Sequence, residues 1–228
     1  MKKVAIITGA AGNLGRAVTE KLVAGGYHVT GIVSSRTPNE FVNSASIEMF
    51  QADLGEESVI REILQRIFDL HKTIDAAILT AGGFMSGNLR TTGKKELDKM
   101  YRLNFETAYY SAREIFQKME TQPEGGRIFF IGAKPALNPS TGISMVAYTL
   151  MKSLLIGLSD MLNEEGSKKG IYSTVIVPSV IDTPDNRKAM PRSDFSGWSP
   201  PGAIADRILD VLSDKNKKTQ FPVLKLYH

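Results

Sequence analysis

The sequence predicts an α/β fold: a doubly wound parallel sheet of about seven strands with helices on both faces. Three observations lead there. Short apolar runs of strand length alternate along the chain with longer stretches of helical periodicity. The first such run passes through a glycine-rich turn straight into an amphipathic stretch. The 228 residues, 42% hydrophobic and 23% charged, suit one domain over residues 1–228 with one substantial core and leave little room for a second.

The elements follow in order. A buried strand is read at 3–8, and Leu14, Ala17, Val18 and Leu22 recur at helical spacing while Arg16, Glu20 and Lys21 face outward, giving a helix over 14–25. Between them Gly9, Gly12 and Gly15 are spaced G-x-x-G-x-x-G. Gly9 permits the tight turn, Gly12 lets the backbone approach a pyrophosphate, and Gly15 lets the helix pack closely on the strand, so that the helix amides and dipole face the phosphates. The spacing differs from G-x-G-x-x-G, so the turn alone supports a phosphate-bearing ligand, with a ligand-free glycine turn as the plain alternative. Further strands are read at 27–33, 47–50, 74–80, 126–131, 171–177 and 220–226, and helices at 57–70, 94–119, 146–166 and 202–213. Repeated βαβ units of this kind make a Rossmann-type sheet, whose ligands bind beyond the carboxyl ends of the strands. Those ends carry Thr8 and Gly9, Val33 to Arg36, Asp53, Thr80 to Gly83, Gly132 to Lys134, and Pro178 to Thr183. Residues 178–201, with Pro178, Pro184, Pro191, Pro200 and Pro201, form the one long irregular stretch and a candidate substrate loop or lid.

Composition excludes several classes. There are no cysteines, so neither disulfides nor thiolate chemistry contributes. No segment approaches the ~20 apolar residues of a membrane span, and the chain enters a core strand directly after Met1-Lys2-Lys3, which reads as a soluble cytoplasmic protein without membrane partners. The net charge of +4 is modest, and Lys215, Lys217 and Lys218 sit together in a polar turn, which reads as a solvated loop and not as a nucleic-acid surface. No metal-ligand set is read from the spacing of histidines and acids.

Tyr148 and Lys152 carry the chemistry. Four residues apart on one predicted helix, they share a face, so a phenol and an ammonium can point into one cleft. A free tyrosine, with a pKa of ~10, shuttles protons poorly at neutral pH, and a neighbouring cation is expected to lower that value. In reduction of a carbonyl or imine, Tyr148 delivers the proton while hydride leaves a nicotinamide, and Lys152 can also hydrogen-bond the nicotinamide ribose. A tyrosine packed on a lysine stem would look the same in isolation. The preceding glycine turn favours the catalytic reading.

With these residues in view, the chain resembles the short-chain dehydrogenase/reductase family almost end to end. Thr8-Gly9 with Gly12, Asn13, Leu14 and Gly15 resembles the cofactor turn, and Asp53-Leu54 resembles the adenine-contacting acid and its neighbour after the third strand. Ala81-Gly82, followed by Gly83, resembles the Asn-Ala-Gly element with Thr80 in place of Asn, and Asn104 stands where the family has its helix-bending catalytic asparagine. Pro178 to Thr183 is similar to the Pro-Gly-x-x-x-Thr stretch with Ser179 in place of Gly, which implies that Ile181 and Thr183 contact the carboxamide of the nicotinamide.

One departure is informative. The family's catalytic serine lies thirteen residues before the tyrosine, where this chain has Pro135; with a small insertion the strand end reads Ile131-Gly132-Ala133-Lys134, again without a hydroxyl. Ser140, Thr141 and Ser144 are nearby loop hydroxyls that could swing in or simply serve turns. The quinoid dihydropteridine reductase branch of the family has a similar Gly-Ala-Lys-x-Ala-Leu segment, here Gly132 to Leu137. It also has stretches similar to Asp75 to Phe84, and to Asp182 to Pro191 continuing through Trp198. That resemblance implies a substrate site with Phe84, Ala133, Asn186 and Trp198. A quinonoid pterin accepts hydride readily and needs less oxyanion polarisation than a ketone, so the loss of the serine is chemically tolerable. Asn104 is a general family feature that this branch does not share.

The resemblance implies NADPH or NADH as cofactor. Ser34, Ser35 and Arg36 end the second strand where NAD-preferring members have an acid, which favours NADPH with NADH as the alternative. Three readings of function stay open: a reductase of a quinonoid dihydropterin or similar electron-poor heterocycle, a general carbonyl reductase, and a non-catalytic dinucleotide sensor. The substrate is a small molecule. The resemblance also implies a homodimer or homotetramer through the long helices flanking the fifth strand.

Overall fold

The computed structural model of the chain describes residues 2–35, 44–214 and 222–227. Arg36 and the Lys215, Lys217 and Lys218 cluster lie outside the described residues. Seven strands form one sheet in the order β3-β2-β1-β4-β5-β6-β7, and every neighbouring pair is parallel. The strands are β1 (Val4–Thr8), β2 (His28–Val33), β3 (Ile47–Gln51), β4 (Ala76–Leu79), β5 (Gly126–Ile131), β6 (Ile171–Pro178) and β7 (Val223–Leu226). The helices are α1 (Asn13–Ala24), α2 (Glu57–His71), α3 (Lys94–Tyr101), α4 (Thr107–Glu120), α5 (Lys134–Leu137), α6 (Val146–Gly166), α7 (Pro184–Ala189) and α8 (Pro201–Ser213).

The central strands β1 and β4 are apolar and buried because both faces of the sheet are covered. Along β1 the alternation is visible residue by residue. Ile6 joins a core that packs Leu64 and Ile67 of α2, Ile115 of α4 and Leu155 of α6, whereas Ala5 and Ile7 join one that packs Val18 and Leu22 of α1 and Ile204 and Ile208 of α8. Chain order turns back at β1, whose neighbours are β2 and β4, so the crevice at their carboxyl ends is the place this topology reserves for a ligand. No described helix is long and apolar enough to cross a membrane.

Two expectations change. The helix read at 94–119 is three segments, because a π-helical turn, Arg102–Glu106, separates α3 from α4. Its apolar periodicity runs on unbroken, so the widened turn left no mark in the pattern; such turns often accompany functional positions. The stretch at 178–201 is less irregular than its prolines imply. Pro184 opens the short helix α7, where a missing N–H costs nothing, and Thr183 caps it by accepting from the Asn186 amide at 3.2 Å. Ile181 pairs with Ser199 across the loop, with Asp182 N donating to Ser199 O at 2.9 Å and Ser199 N to Val180 O at 2.8 Å.

Candidate active site

The site begins at the glycine turn. Gly9 has φ +68° and the turn closes with Gly12 N donating to Gly9 O at 2.9 Å. A Cβ on Gly15 would stand 2.3 Å from Gly9 O and 2.8 Å from Ala10 Cα, so only glycine lets α1 start this close to the strand. Gly12, the residue before α1, supplies no side-chain cap, and the first amides of α1 therefore remain available to an anion. Asn13 is exposed at this start, whereas the side chain of Leu14 is core and leaves only its backbone for a ligand. Thr8 and Thr80 tie the ends of β1 and β4: Thr80 Oγ1 donates to Thr8 O at 2.7 Å and Ala81 N donates to Thr8 Oγ1 at 3.3 Å.

The reacting end is built by α6, β5 and the π turn. Lys152 is buried and its Nζ donates to Ile131 O at the end of β5 at 2.8 Å. Asn104 lies in the π turn with its Nδ2 donating to Met100 O at 3.3 Å and its Oδ1 accepting from Gly83 N at 3.2 Å. Gly82 lies in the gap: a Cβ there would stand 2.9 Å from Asn104 Oδ1 and 3.6 Å from Lys152 Nζ. Tyr148 sits one turn before Lys152, whose ammonium is 5.7 Å from the phenol ring centroid. Phe84 meets Tyr148 edge to face with centroids 5.2 Å apart and an interplanar angle of 74°. The loops after β4 and β5 are joined beside this pair, Gly87 N donating to Ser144 O at 2.7 Å and Val146 N to Gly87 O at 2.8 Å. A surface groove lined by Leu89, Arg90, Pro139, Ile143, Val146 and Leu150 adjoins that tie, and Tyr148 is not among its lining residues.

The electrostatics correct one expectation. Burial pushes the Tyr148 phenol up to about 12 and holds the Lys152 ammonium down to about 8. Lys152 thus does not lower the phenol in this structure, because loss of water dominates and the ammonium points to the Ile131 carbonyl, not to the hydroxyl. A phenol kept protonated is a proton donor in waiting, which is the state that a reduction requires.

The remaining expected residues divide. Asp53 is exposed, with Oδ1 accepting from Gly55 N at 2.9 Å, but Leu54 is a core residue beside it. Ser34 and Ser35 are exposed at the end of β2. Pro178 ends β6, and Ile181 and Thr183 follow it toward α7. Asn186 is committed to its own loop, its Nδ2 donating to Ile181 O at 2.8 Å, and Trp198 packs against Phe195 at 4.7 Å, so neither side chain is brought to Tyr148 by these contacts. Ala133 is buried directly before α5, and two of the nearby loop hydroxyls are committed elsewhere, Ser140 Oγ donating to Asn138 Oδ1 at 2.7 Å and Thr141 Oγ1 to Asn138 O at 2.9 Å, while Ser144 is exposed. The Ile131 carbonyl that holds Lys152 was missed by sequence reasoning, since a backbone acceptor leaves no side-chain signature.

Comparison with known proteins identifies the family and the fold. Residues 3–193 match the family model described as short chain dehydrogenase. A dihydropteridine reductase of Dictyostelium discoideum is 29% identical over 221 residues, covering 96% of this chain and 91% of the relative. A 3-oxoacyl-[acyl-carrier-protein] reductase of Buchnera aphidicola is 28% identical over 186 residues, covering 80% and 75%. Among solved structures, ElxO with NADP bound superposes with a TM-score of 0.86 at 24% identity, covering 99% of this chain and 97% of that one, a likeness of fold. On the family match and the Tyr148, Lys152 and Asn104 arrangement together, the chain belongs to the short-chain dehydrogenase family of oxidoreductases.

Proposed function

We propose that this chain reduces a quinonoid dihydropterin, or a similarly electron-poor heterocycle, with hydride from NADPH. The observation that carries the reading is the end of β5, where Ala133 stands in place of a hydroxyl while Ser140 and Thr141 are spent on Asn138. A ketone needs a donor on its oxygen as negative charge develops; an electron-poor ring that takes up hydride and a proton at nitrogen needs it far less. Phe84, 61% exposed and set edge-on to Tyr148, offers a face on which a flat heterocycle can stack. The Dictyostelium relative, named a dihydropteridine reductase, aligns over nearly the whole chain and supports the same reading.

The residues fit a nicotinamide dinucleotide. The uncapped start of α1 with Gly9, Gly12 and Gly15 would hold the pyrophosphate, Asp53 the adenine, and Gly82 leaves room beside Asn104 and Lys152. Exposed Ser34 and Ser35, without an acid beside them at the end of β2, favour a 2′-phosphate, and the NADP in the ElxO structure is consistent with that choice. When bound, the nicotinamide supplies the hydride. Tyr148 gives its phenolic proton to the substrate, Lys152, held by the Ile131 carbonyl, orients the ribose, and a proton from solvent restores the phenol. Asn104 holds the Gly83 amide and with it the loop that carries Phe84.

The Buchnera relative keeps a second reading in play, reduction of a carbonyl such as a 3-oxoacyl thioester. The test is the oxidation of NADPH and of NADH, followed by absorbance, with quinonoid dihydropterin and with a panel of ketones. Faster turnover of the pterin, with NADPH preferred, is expected; faster turnover of a ketone overturns the proposal in favour of the second reading. The self-association implied by the family fits the outer faces of α3, α4 and α6, where Tyr101, Tyr109, Leu150, Leu154 and Met161 are exposed, and light scattering after gel filtration measures it.

A further inference from the structure

His28, Glu48 and His71 meet at the amino end of the sheet, the end opposite the glycine turn. His28 opens β2, Glu48 lies on β3 opposite Thr30 of β2, and His71 is the last residue of α2. The two imidazole centroids are 4.6 Å apart at 44°, and His71 Nε2 stands 3.5 Å from Glu48 Oε2. One donor atom from each of the three side chains lies within 4.8 Å of the others.

The ring nitrogens decide what this cluster can do. His28 Nε2 and His71 Nε2 are both buried and neither has a hydrogen-bond partner. The Ala45 carbonyl lies beside the His28 ring. With Nε2 uncommitted, this is the kind of support that a metal-binding imidazole uses, a backbone carbonyl beside the ring. Without an ion, the buried Nε2 atoms of both rings forfeit the hydrogen bonds they make in water.

We propose that His28, Glu48 and His71 form a zinc site, two imidazoles and one carboxylate with the fourth position left to water. This donor set suits zinc, and tetrahedral bonds of about 2.0–2.2 Å need donors about 3.3–3.5 Å apart, which side-chain rotation brings about from the present spacing. The ligands come from β2, β3 and α2, so the ion clips the edge strand and the end of a helix to an inner strand. It takes no part in hydride transfer, and the inference does not depend on the substrate proposed above.

The experiment uses untagged protein freed of metal with a chelator. Zinc titration by calorimetry, cobalt absorbance and the melting temperature with and without zinc are compared among wild type, Glu48→Gln and His71→Gln. One zinc per chain is expected, with affinity at least about tenfold weaker in each variant, a zinc-dependent rise in melting temperature confined to wild type, and turnover unchanged. Absence of one-to-one binding in wild type, or wild-type affinity in both variants, overturns the site. Should a variant fail to match the metal-free wild-type circular dichroism, X-ray absorption of zinc-loaded wild type decides: two imidazole nitrogens on the ion uphold the site, and a shell of oxygens alone overturns it.

Discussion

The two ends of the sheet treat buried titratable groups differently. At the carboxyl end, burial is the cause that moves both Tyr148 and Lys152, each toward its uncharged form. At the amino end burial is opposed: Asp214 and Tyr172 pull Arg127 back up, and Glu48 and the Ala45 carbonyl do the same for His28. Backbone groups there are also answered, as where Val4 N donates to Asp75 Oδ2 at 2.8 Å. Desolvation without compensation costs stability and leaves a group ready to exchange a proton; desolvation with compensation holds the fold. The proposed function accordingly puts the chemistry at the carboxyl end, and the variants that follow test whether the two ends differ in this way.

The largest effect is expected from Tyr148→Phe, which removes the proton donor and keeps the ring against Phe84. Turnover falls about 10²–10⁴-fold while affinity for the nicotinamide cofactor is nearly unchanged, as read from steady-state kinetics and cofactor fluorescence titration. A variant that keeps wild-type turnover would remove the distinction between the two ends and take the proton donor's role away from Tyr148.

Next comes the pH dependence of stability. The folded chain holds Lys152 at about 8 against an ordinary value of 10.5. Below that window both folded and unfolded chains bind the proton. Within it the unfolded chain binds more, so stability rises with pH, and above it the gain is complete. A gap of that size corresponds to about 3 kcal/mol. Tyr148 acts in the opposite sense at higher pH, since the unfolded phenol ionises near 10.0 and the folded one only near about 12. Urea unfolding of wild type and Lys152→Met between neutral pH and 10 checks this; an equal rise in the variant would assign the effect to other groups.

A matched pair of glycines separates the ends more gently. A Cβ on Gly15 would meet Gly9 O at 2.3 Å, and one on Gly125, which has φ +65°, would meet Gly170 O at 2.4 Å. Both alanine variants should lose about 1–3 kcal/mol of stability. Only Gly15→Ala is expected to raise KM for the cofactor as well, because Gly125 lies beside the start of β5, away from the phosphate turn. A Gly125→Ala variant with a raised cofactor KM would contradict the division.

Legibility in the sequence followed the range of the interactions. The β1-turn-α1 unit and the Tyr148–Lys152 pair could be read because their partners are local, within one turn or one helix face. The sheet was readable because continuous apolar strands such as residues 4–8 have few other ways to be satisfied. His28, Glu48 and His71 went unnoticed because strand register and a helix end bring them together, and no spacing encodes that. Leu14 and Leu54 occupy motif positions yet face the core, because a motif gives a place along the chain and not the direction of the side chain. The turn at Asn104 was hidden for a related reason: a π turn shifts the helix phase by one residue, less than an apolar stripe can resolve.

The smallest effect concerns the loop over the site. Arg187 donates to both oxygens of Asp182, at 2.6 and 2.8 Å, and its guanidinium lies 4.6 Å from the Phe195 ring centroid, which in turn packs on Trp198. This Asp182–Arg187 pair holds the Asp182 carboxyl below its usual range, yet it is open to water, where such pairs contribute little to folding. Its use would be to set the resting shape of the loop. Arg187→Ala should therefore leave the melting temperature and cofactor KM close to wild type and raise substrate KM by less than about tenfold, the effect shrinking further in high salt. If kcat falls instead with KM unchanged, the loop acts on the chemical step, and Asn186 or Trp198, tied to their own loop in this structure, must swing toward Tyr148 when substrate arrives.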